Sequence, residues 1–493
     1  MKIFGSIISN EKGPNTMEFD FAITDSSVRK GQFVQVDTGN GIIIARVNEI
    51  YKTNRYFSRA ESVIEYERGN NPISEAFPIE RWEYLVANCS ILGFFNEGKI
   101  ERVTFPPSPG MKISEIDEMI LEKFLGFDKN GLCLGKIFHH NLEARINVTR
   151  LLQKHVAILA MSGAGKSHLV SVIIEELLDR DDSLGKPAII VFDPHGEYKK
   201  FGEDSFYKRF TKIYTSENIK IGVSNLNTTH FGEFLELSNA QKRELSRILQ
   251  NMKNQNYNLD ELIELIDKSD VKSPIKENLS GALSSLKVFQ LFDKYTQPSI
   301  NSIAKPGQLC VFDLSNFVEL KERQIIASFF AKKLFYERRK GNIPPFLLII
   351  EEAHQFCPET KKEEAISRGI IETIAREGRK FHASLMLVSQ RPIRLNPTVL
   401  SQCNTHIILR VTNPYDIDHI GKSSEGINEE LIKNLPSLKT GEAVIVGEAV
   451  NYPIMIKVRE RRSKKSEIEK TYEEALIEYS LKHKINKNDL EAF

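Results

Sequence analysis

Apolar and β-branched residues in the first part of the chain come in short runs, each closed by turn residues. Residues 31–50 contain two such runs around the glycine turn Gly39–Gly41. Residues 86–95 and 99–105 contain two more, and a proline-rich stretch follows them. Short strands with this turn punctuation are typical of small closed sheets. The pattern therefore predicts an all-β barrel over residues 1–110.

From residue 151 the rhythm changes to continuous apolar runs that alternate with helical stretches. Runs without polar alternation are typical of parallel strands that are buried on both faces. We predict an α/β domain over residues 111–456 with a doubly wound sheet, whose ligands should bind at the carboxyl ends of the strands. The predicted strands are 156–160, 188–192, 308–313, 346–350, 384–388 and 405–411.

Residues 231–300 interrupt the alternation of strands and helices. Ser238 with Gln241, and Asn258 with Glu261, have the spacing of a capping box at a helix start. Apolar residues then recur at helical spacing. We predict a helical insertion here; core helices would be the alternative and would not change the function.

The last segment, residues 457–493, is rich in charge and is predicted to contain a helix at about 466–484. We favour a solvated surface for this helix. The basic run that precedes it is compatible with a solvated surface or with contact to a neighbouring subunit or DNA, and the sequence leaves this open. The run comprises Arg459, Arg461, Arg462, Lys464 and Lys465.

Composition narrows the class of protein only slightly. The 493 residues are too many for one ordinary core, and a net charge of +1 gives no global attraction to nucleic acid. The five cysteines lack paired spacing, which indicates buried thiols in a reducing compartment. No apolar run has the length of a membrane span and no signal-peptide pattern is present, so a cytoplasmic location is expected.

The stretch 156–170, VAILAMSGAGKSHLV, predicts a phosphate-binding loop between a buried strand and a helix. Ala160 replaces the first glycine of the usual pattern, but it lies at the strand end, where an extended backbone accepts a Cβ. Lys166 should contact the β- and γ-phosphates of ATP, and Ser167 should bind Mg²⁺. The residues predicted to bind the nucleotide are Ser162, Gly163, Ala164, Gly165, Lys166, Ser167 and His168.

An acidic pair follows the apolar run of PFLLIIEEAHQF, residues 345–356. Glu351 is predicted to hold the Mg²⁺ shell, directly or through water. Its extra methylene relative to the usual aspartate favours contact through water. Glu352 is predicted to orient and deprotonate the attacking water. Two glutamates can also begin a helix, but beside a phosphate loop the catalytic interpretation is better.

Polar residues after two further predicted strands complete the candidate site. In the stretch 375–392, Arg376 and Arg379 end a helix, where either could reach the γ-phosphate of the next subunit or simply complement the helix dipole. Gln390 ends the following strand and is predicted to sense the γ-phosphate or hold the water. The segment FDPHGEY, residues 192–198, is assigned a supporting or DNA-coupling role, because its spacing is weak for a metal site.

With these segments in place, the chain resembles the HerA branch of the HerA/FtsK family of DNA-pumping ATPases. The resemblance rests on the phosphate loop, FDPHGEY, LLIIEEAH, AREGRKFHASLMLVSQRP and LPSLKTGEAVIVGEAVNYPIMIKVR. It implies a RecA-like P-loop core, an N-terminal barrel and a homo-hexameric ring around double-stranded DNA, driven by ATP and Mg²⁺. It also implies a partner, either a NurA-like nuclease in end resection or a nuclease or sirtuin-like effector in phage defence.

The predicted function is therefore ATP-dependent translocation on, or unwinding of, double-stranded DNA together with a partner nuclease, in repair or defence. An ATP-regulated ring scaffold that assembles and activates a nuclease or effector is the alternative. A conjugation or FtsK-like pump is a weaker possibility, because such pumps usually carry membrane segments. The sequence itself displays no DNA-contacting residues, although phosphate contacts by pore lysines and arginines are expected.

Overall fold

The structure is a computed structural model. It describes residues 1–9, 13–54, 83–253, 255–359, 365–424, 426–465 and 472–490, together with Phe57, Glu61, Val63, Ile64 and Arg68. The chain divides into two compact units. The first comprises Met1–Asn147 with Val450–Lys457, and the second comprises Val148–Ala449 with Val458–Phe493.

The first unit contains a closed antiparallel barrel. Its strands pair in the order β2-β1-β7-β3-β4-β5, the pairing of β2 with β5 closes the sheet, and β6 adds to the outside of β5. Inward-facing apolar side chains such as Phe19, Phe21 and Val34 fill the interior. The strands are β1 (Ile3–Ile8), β2 (Glu18–Ile23), β3 (Phe33–Asp37), β4 (Ile42–Asn54), β5 (Glu83–Asn96), β6 (Lys99–Glu101) and β7 (Lys112–Glu115).

The remainder of the first unit is a helix and a small group of strands. Helix α1 (Glu118–Leu125) begins at Asp117, whose carboxylate accepts hydrogen bonds from two backbone N–H groups. Strands β8 (Leu132–Ile137) and β9 (Glu143–Ile146) pair antiparallel, and the strand Ile454–Val458 neighbours β8.

The second unit is built on a mostly parallel sheet with the strand order β12-β15-β11-β16-β17-β10-β18-β19. Pairing is parallel from β12 to β18, and only β19 of this series is antiparallel to its neighbour. The six strands that the sequence predicts are buried, as their continuous apolar runs indicate, whereas the edge strand β12 is exposed or half-buried. They are β10 (Val156–Leu159), β11 (Ala188–Asp193), β12 (Thr211–Tyr214), β15 (Leu309–Asp313), β16 (Phe346–Ile350), β17 (Ala383–Ser389), β18 (Thr405–Ile408) and β19 (Glu442–Gly447).

Helices connect the strands of the second unit, and a two-stranded pair, β13 (Ile221–Gly222) with β14 (Phe292–Asp293), lies outside the main sheet. Within the described ranges, no helix is both long enough and apolar enough to cross a membrane. The helices other than those of the insertion are α2 (Val148–Leu152), α3 (Lys166–Asp179), α8 (Ile300–Ile303), α9 (Leu320–Arg339), α10 (Ala353–Phe356), α11 (Arg368–Phe381), α12 (Pro397–Leu400), α13 (Pro414–Ser423), α14 (Glu429–Asn434) and α15 (Tyr472–Leu490).

The predicted insertion is helical. Ser238 accepts a hydrogen bond from the backbone of Gln241, whose side chain accepts one from Ser238 N–H in return, and Asn258 and Glu261 form the same arrangement. Both capping boxes that the sequence predicts are therefore present. The insertion helices are α4 (Thr228–Phe234), α5 (Asn239–Asn251), α6 (Leu259–Lys268) and α7 (Ser273–Ser285).

The predicted fold class, a RecA-like α/β core with a helical insertion and an N-terminal all-β barrel, is confirmed. Residues 111–147, which the sequence pattern assigned to the ATPase domain, pack within the unit that contains the barrel. The functional domain boundaries at 110 and 456 stay predictions. Four of the five cysteines are buried, Cys133 is partly exposed, and all five are free thiols.

His155, at the entrance to β10, makes the second unit sensitive to acid. Its Nδ1 accepts a hydrogen bond of 2.9 Å from Leu385 N–H, and its Nε2 lies 3.0 Å from the carbonyl oxygen of Ala375. Because the ring is buried in its neutral form, its pKa falls from 6.5 to about 4. The unfolded chain binds the proton more tightly, so stability is lost as the pH falls from 6.5 towards 4.

For His155 alone the loss over this window is about 3 kcal/mol. The free energy of unfolding, measured by urea titration between pH 8 and about pH 4.5, should therefore fall more steeply in the wild type than in His155→Asn. Asparagine keeps an acceptor for Leu385 N–H and has no proton to gain. Equal slopes for the two proteins would contradict the assignment.

Candidate functional site

The loop after β10 has the backbone of a phosphate cradle. Gly163 and Gly165 adopt φ angles of 73° and 100°, which L side chains rarely accept. Gly165 immediately precedes α3, a 14-residue helix with no side-chain hydrogen bond at its N-terminus. The first N–H groups of that helix therefore remain available to an anion. Ala160, the departure from the usual motif, is buried and keeps a negative φ, so its Cβ causes no backbone strain.

The order of the strands brings the predicted catalytic residues to this loop. Strand β17 lies between β10 and β16, and Leu159 is opposite Ser389 in the parallel register. Ile350 at the end of β16 is opposite Leu387. The polar residues that follow these three strands therefore meet at one edge of the sheet, as the rule for carboxyl ends predicts.

Glu352 is the centre of the polar cluster at this edge. Lys166 Nζ lies 3.2 Å from its Oε1, and Gln390 Nε2 donates to the same oxygen. His354 Nδ1 lies 3.4 Å from Oε2. Glu352 has a left-handed backbone, with φ of 48° and ψ of 47°, and its side chain is almost fully buried. Such strain is common where a protein fixes a functional side chain.

Glu351 points to a different partner. It is buried, and its Oε1 accepts a hydrogen bond from the hydroxyl of Tyr198. Burial raises the pKa of Glu351 to about 8, against the opposing effect of the Lys166 charge. The prediction that Glu351 holds a metal shell stays a prediction.

The loop after β11 is held tightly beside the phosphate loop. The carboxylate of Asp193 accepts hydrogen bonds from the backbone N–H groups of residues 195–198, at 2.8 to 3.3 Å. Lys199 forms an ion pair of 2.6 Å with the buried Asp313, which is opposite Asp193 in the register of β11 and β15. These contacts position Glu197 so that its Oε2 accepts a hydrogen bond of 2.6 Å from the Ser167 hydroxyl.

These residues fit ATP with a divalent cation. The uncapped helix start and the buried Lys166 provide donors and positive charge for phosphates, while Ser167 and its neighbouring carboxylates provide the oxygen ligands that Mg²⁺ prefers. Among the described residues, no group of three or more His, Cys, Asp or Glu side chains is arranged to hold a metal alone. Mg²⁺ would therefore be held by Ser167 and a neighbouring carboxylate together with water and nucleotide phosphates.

Arg376 and Arg379 lie away from this cluster in the same chain. Both are exposed near the end of α11, which leads into the first residue of β17, whereas Gln390 follows the last residue of that strand. The seven residues of β17 span about 20 Å. Neither arginine therefore acts on its own chain's site, and a role on a neighbouring subunit stays a prediction.

The two outer members of the predicted nucleotide loop differ in their surroundings. Ser162 is exposed on the loop, as an open phosphate site requires. His168 Nε2 lies 2.8 Å from the carbonyl oxygen of Arg459, so its imidazole is engaged by the C-terminal segment.

Sequence reasoning missed several residues of this site. Tyr198, His354 and Asp313 received no role, although the first two lie inside motifs that were recognised. Asp313 could have been found from its pattern, because it is an acid at the end of an apolar strand, as Asp193 is. Nothing in the sequence indicated that Tyr198 meets Glu351, which is 153 positions away.

Comparison with known proteins agrees with this geometry. Residues 132–334 match the family described as "Helicase HerA, central domain". A protein of Methanocaldococcus jannaschii named as a probable helicase is 28% identical, over 93% of this chain and 95% of its own. The DNA double-strand break repair helicase HerA of Pyrococcus furiosus is 27% identical, over 93% of this chain and 92% of its own.

The solved structure of VirB4 of Thermoanaerobacter pseudethanolicus is similar in fold. It has a TM-score of 0.52 and 17% sequence identity, and the match covers 68% of this chain and 98% of that chain. At this identity the likeness concerns the fold alone.

Proposed function

Because this chain is a HerA-like P-loop ATPase, we propose that it hydrolyses ATP with Mg²⁺ to translocate on, or unwind, double-stranded DNA. The observation that carries the proposal is the meeting of Lys166, Glu352 and Gln390 beside an uncapped phosphate-loop helix. The relatives named as DNA repair helicases match nearly the whole chain, which supports DNA as the substrate.

Lys166 and Glu352 neutralise each other across 3.2 Å in this structure. Bound phosphate competes with Glu352 for the ammonium group of Lys166, because an N–H that donates to phosphate no longer donates to the carboxylate. Glu352 Oε1 then becomes free to accept a proton from a water molecule, and Gln390 restrains that carboxylate at the end of β17. When bound, Mg²⁺ would neutralise part of the negative charge of the phosphates. Ser167 offers its hydroxyl oxygen as a ligand.

The proposal includes a homo-hexameric ring with a partner nuclease or sirtuin-like effector, in DNA repair or phage defence. Its support is the placement of Arg376 and Arg379. Both are exposed at the opposite end of β17 from their own chain's site, where a neighbouring subunit could reach them. An arginine supplied from a neighbouring subunit stabilises charge in the transition state of phosphoryl transfer.

ATP hydrolysis by the purified protein, with and without linear duplex DNA, tests this function. We expect DNA to increase the rate severalfold, and we expect Lys166→Ala to reduce it by at least about 100-fold, because the phosphate charge loses its only loop cation. Lys268→Ala, which removes an exposed ion pair with Glu264 on an insertion helix, is the matched control and should keep the wild-type rate. Hydrolysis that does not respond to DNA, or no hydrolysis in either condition, would contradict the proposal.

A further inference from the structure

Glu197 occupies the position beside Ser167 that the sequence pattern had assigned to the first acid of the pair after β16. Its Oε2 is 2.6 Å from the Ser167 hydroxyl oxygen. Glu351 Oε1 instead accepts the hydroxyl of Tyr198, a side chain that is itself fully buried. Of these two carboxylates, Glu197 is the one that contacts the side chain that would bind the metal.

The position of Glu197 is fixed from both sides of the loop. On one side, the Asp193 carboxylate accepts hydrogen bonds from four successive backbone N–H groups, including that of Glu197 itself at 3.1 Å. On the other side, Tyr198 is anchored to Glu351, and Lys199 to Asp313 and Ser315. A carboxylate on a loop with this many anchors is held near one geometry, as a metal-shell ligand requires.

We propose that Glu197 is the carboxylate that holds the Mg²⁺ shell beside Ser167, and that Glu351 acts as a positioning residue through Tyr198. The inference rests on the proposed use of ATP with Mg²⁺ at this site. The proposal gives the FDPHGEY segment, through Glu197, a role in binding the metal. Glu197 is partly exposed, so a hydrated cation can approach it, whereas Glu351 is fully buried.

Binding of Mn²⁺, a paramagnetic substitute for Mg²⁺, tests the proposal without any hydrolysis. Free Mn²⁺ is measured by electron paramagnetic resonance with full-length protein in excess over the non-hydrolysable analogue AMP-PNP. Glu197→Gln should raise the Kd for Mn²⁺ by about 10- to 100-fold. The affinity for AMP-PNP in EDTA should stay within about twofold of wild type, because the phosphate cradle is unchanged. Glu197→Asp keeps the charge, so its Kd for Mn²⁺ should lie between those of the wild type and Glu197→Gln.

Two further variants make the result specific. Glu203→Gln removes an exposed carboxylate a few residues along the same segment and should bind Mn²⁺ as the wild type does. Glu351→Gln keeps an acceptor for the Tyr198 hydroxyl and should have a smaller effect than Glu197→Gln. Wild-type Mn²⁺ affinity in Glu197→Gln, or a larger loss in Glu351→Gln, would overturn the inference.

The experiment contains no DNA, so its outcome is separate from that of the proposed function. A protein that binds Mn²⁺ through Glu197 but shows no DNA-stimulated hydrolysis would retain this inference and lose the translocase. Absence of any Mn²⁺-dependent AMP-PNP binding in the wild type would overturn the inference together with the ATP part of the proposed function.

Discussion

Glu352→Gln should lower kcat for ATP hydrolysis by about 10²- to 10⁴-fold, the usual contribution of a general base. The amide has nearly the shape of the carboxylate but does not accept a proton from water. ATP affinity should be equal to or tighter than that of the wild type, because Lys166 no longer has to leave a charged partner 3.2 Å away to contact phosphate. Single-turnover hydrolysis and equilibrium binding of ATP separate these two effects.

Glu377→Gln is the matched control for this substitution. It removes a partly exposed carboxylate that forms a long ion pair of 3.9 Å with Arg339, and its kcat should be that of the wild type. A Glu352→Gln variant that retains more than about a tenth of the wild-type kcat would exclude Glu352 as the general base.

The same variant distinguishes a motor from a scaffold. A translocase with Glu352→Gln should no longer displace a third strand from linear duplex DNA, and a nuclease that depends on that movement should lose its stimulation. If a partner nuclease is stimulated equally by the wild type and by Glu352→Gln, ATP hydrolysis is not needed for its activation. That result would favour the ATP-regulated scaffold over the translocase.

The elements that the sequence predicts well are those whose determinants are local. Continuous apolar runs predicted six strands of the main sheet, but not β12 or β19, whereas short-range polar pairs such as Ser238 with Gln241 predicted helix starts of the insertion. The convergence of Lys166, Glu352 and Gln390 was predictable as well, because parallel strands place the residues that follow them at one edge. Predicting this convergence requires only that the strands are correctly assigned.

The contacts that the sequence does not predict depend on loop conformation and on distant partners. Glu197 reaches Ser167 only because Asp193 folds the intervening loop around its own carboxylate. The basic run near the C-terminus gave no indication of its partners, since Arg459 and Glu175 are 284 positions apart. The adjacent glutamates Glu175 and Glu176 would be expected on a solvated helix face, yet the side chain of Glu175 is completely buried.

Glu175→Ala should lower the free energy of unfolding by roughly 3–5 kcal/mol, the usual cost of removing one partner from a buried ion pair. Glu175 Oε2 accepts from the Arg459 guanidinium at 2.8 Å. Its Oε1 accepts from the backbone N–H groups of Arg462 and Ser463 and from the Ser463 hydroxyl, at 2.7 to 2.9 Å. Although burial alone would raise the pKa of Glu175, these hydrogen bonds lower it. Alanine leaves all four donors without this acceptor.

The loss should be concentrated in the C-terminal segment 458–465, because Glu175 is where its backbone is attached to α3. Hydrogen exchange of Arg462 and Ser463 N–H groups should accelerate in Glu175→Ala, and urea unfolding should give the change in free energy. Asp182→Ala, which removes the exposed partner of Lys186, should change stability by less than about 0.5 kcal/mol. A cost below about 1 kcal/mol for Glu175→Ala would show that Arg459 and the freed N–H groups find water or other partners. The buried carboxylate would then not be what holds this segment against the phosphate-loop helix.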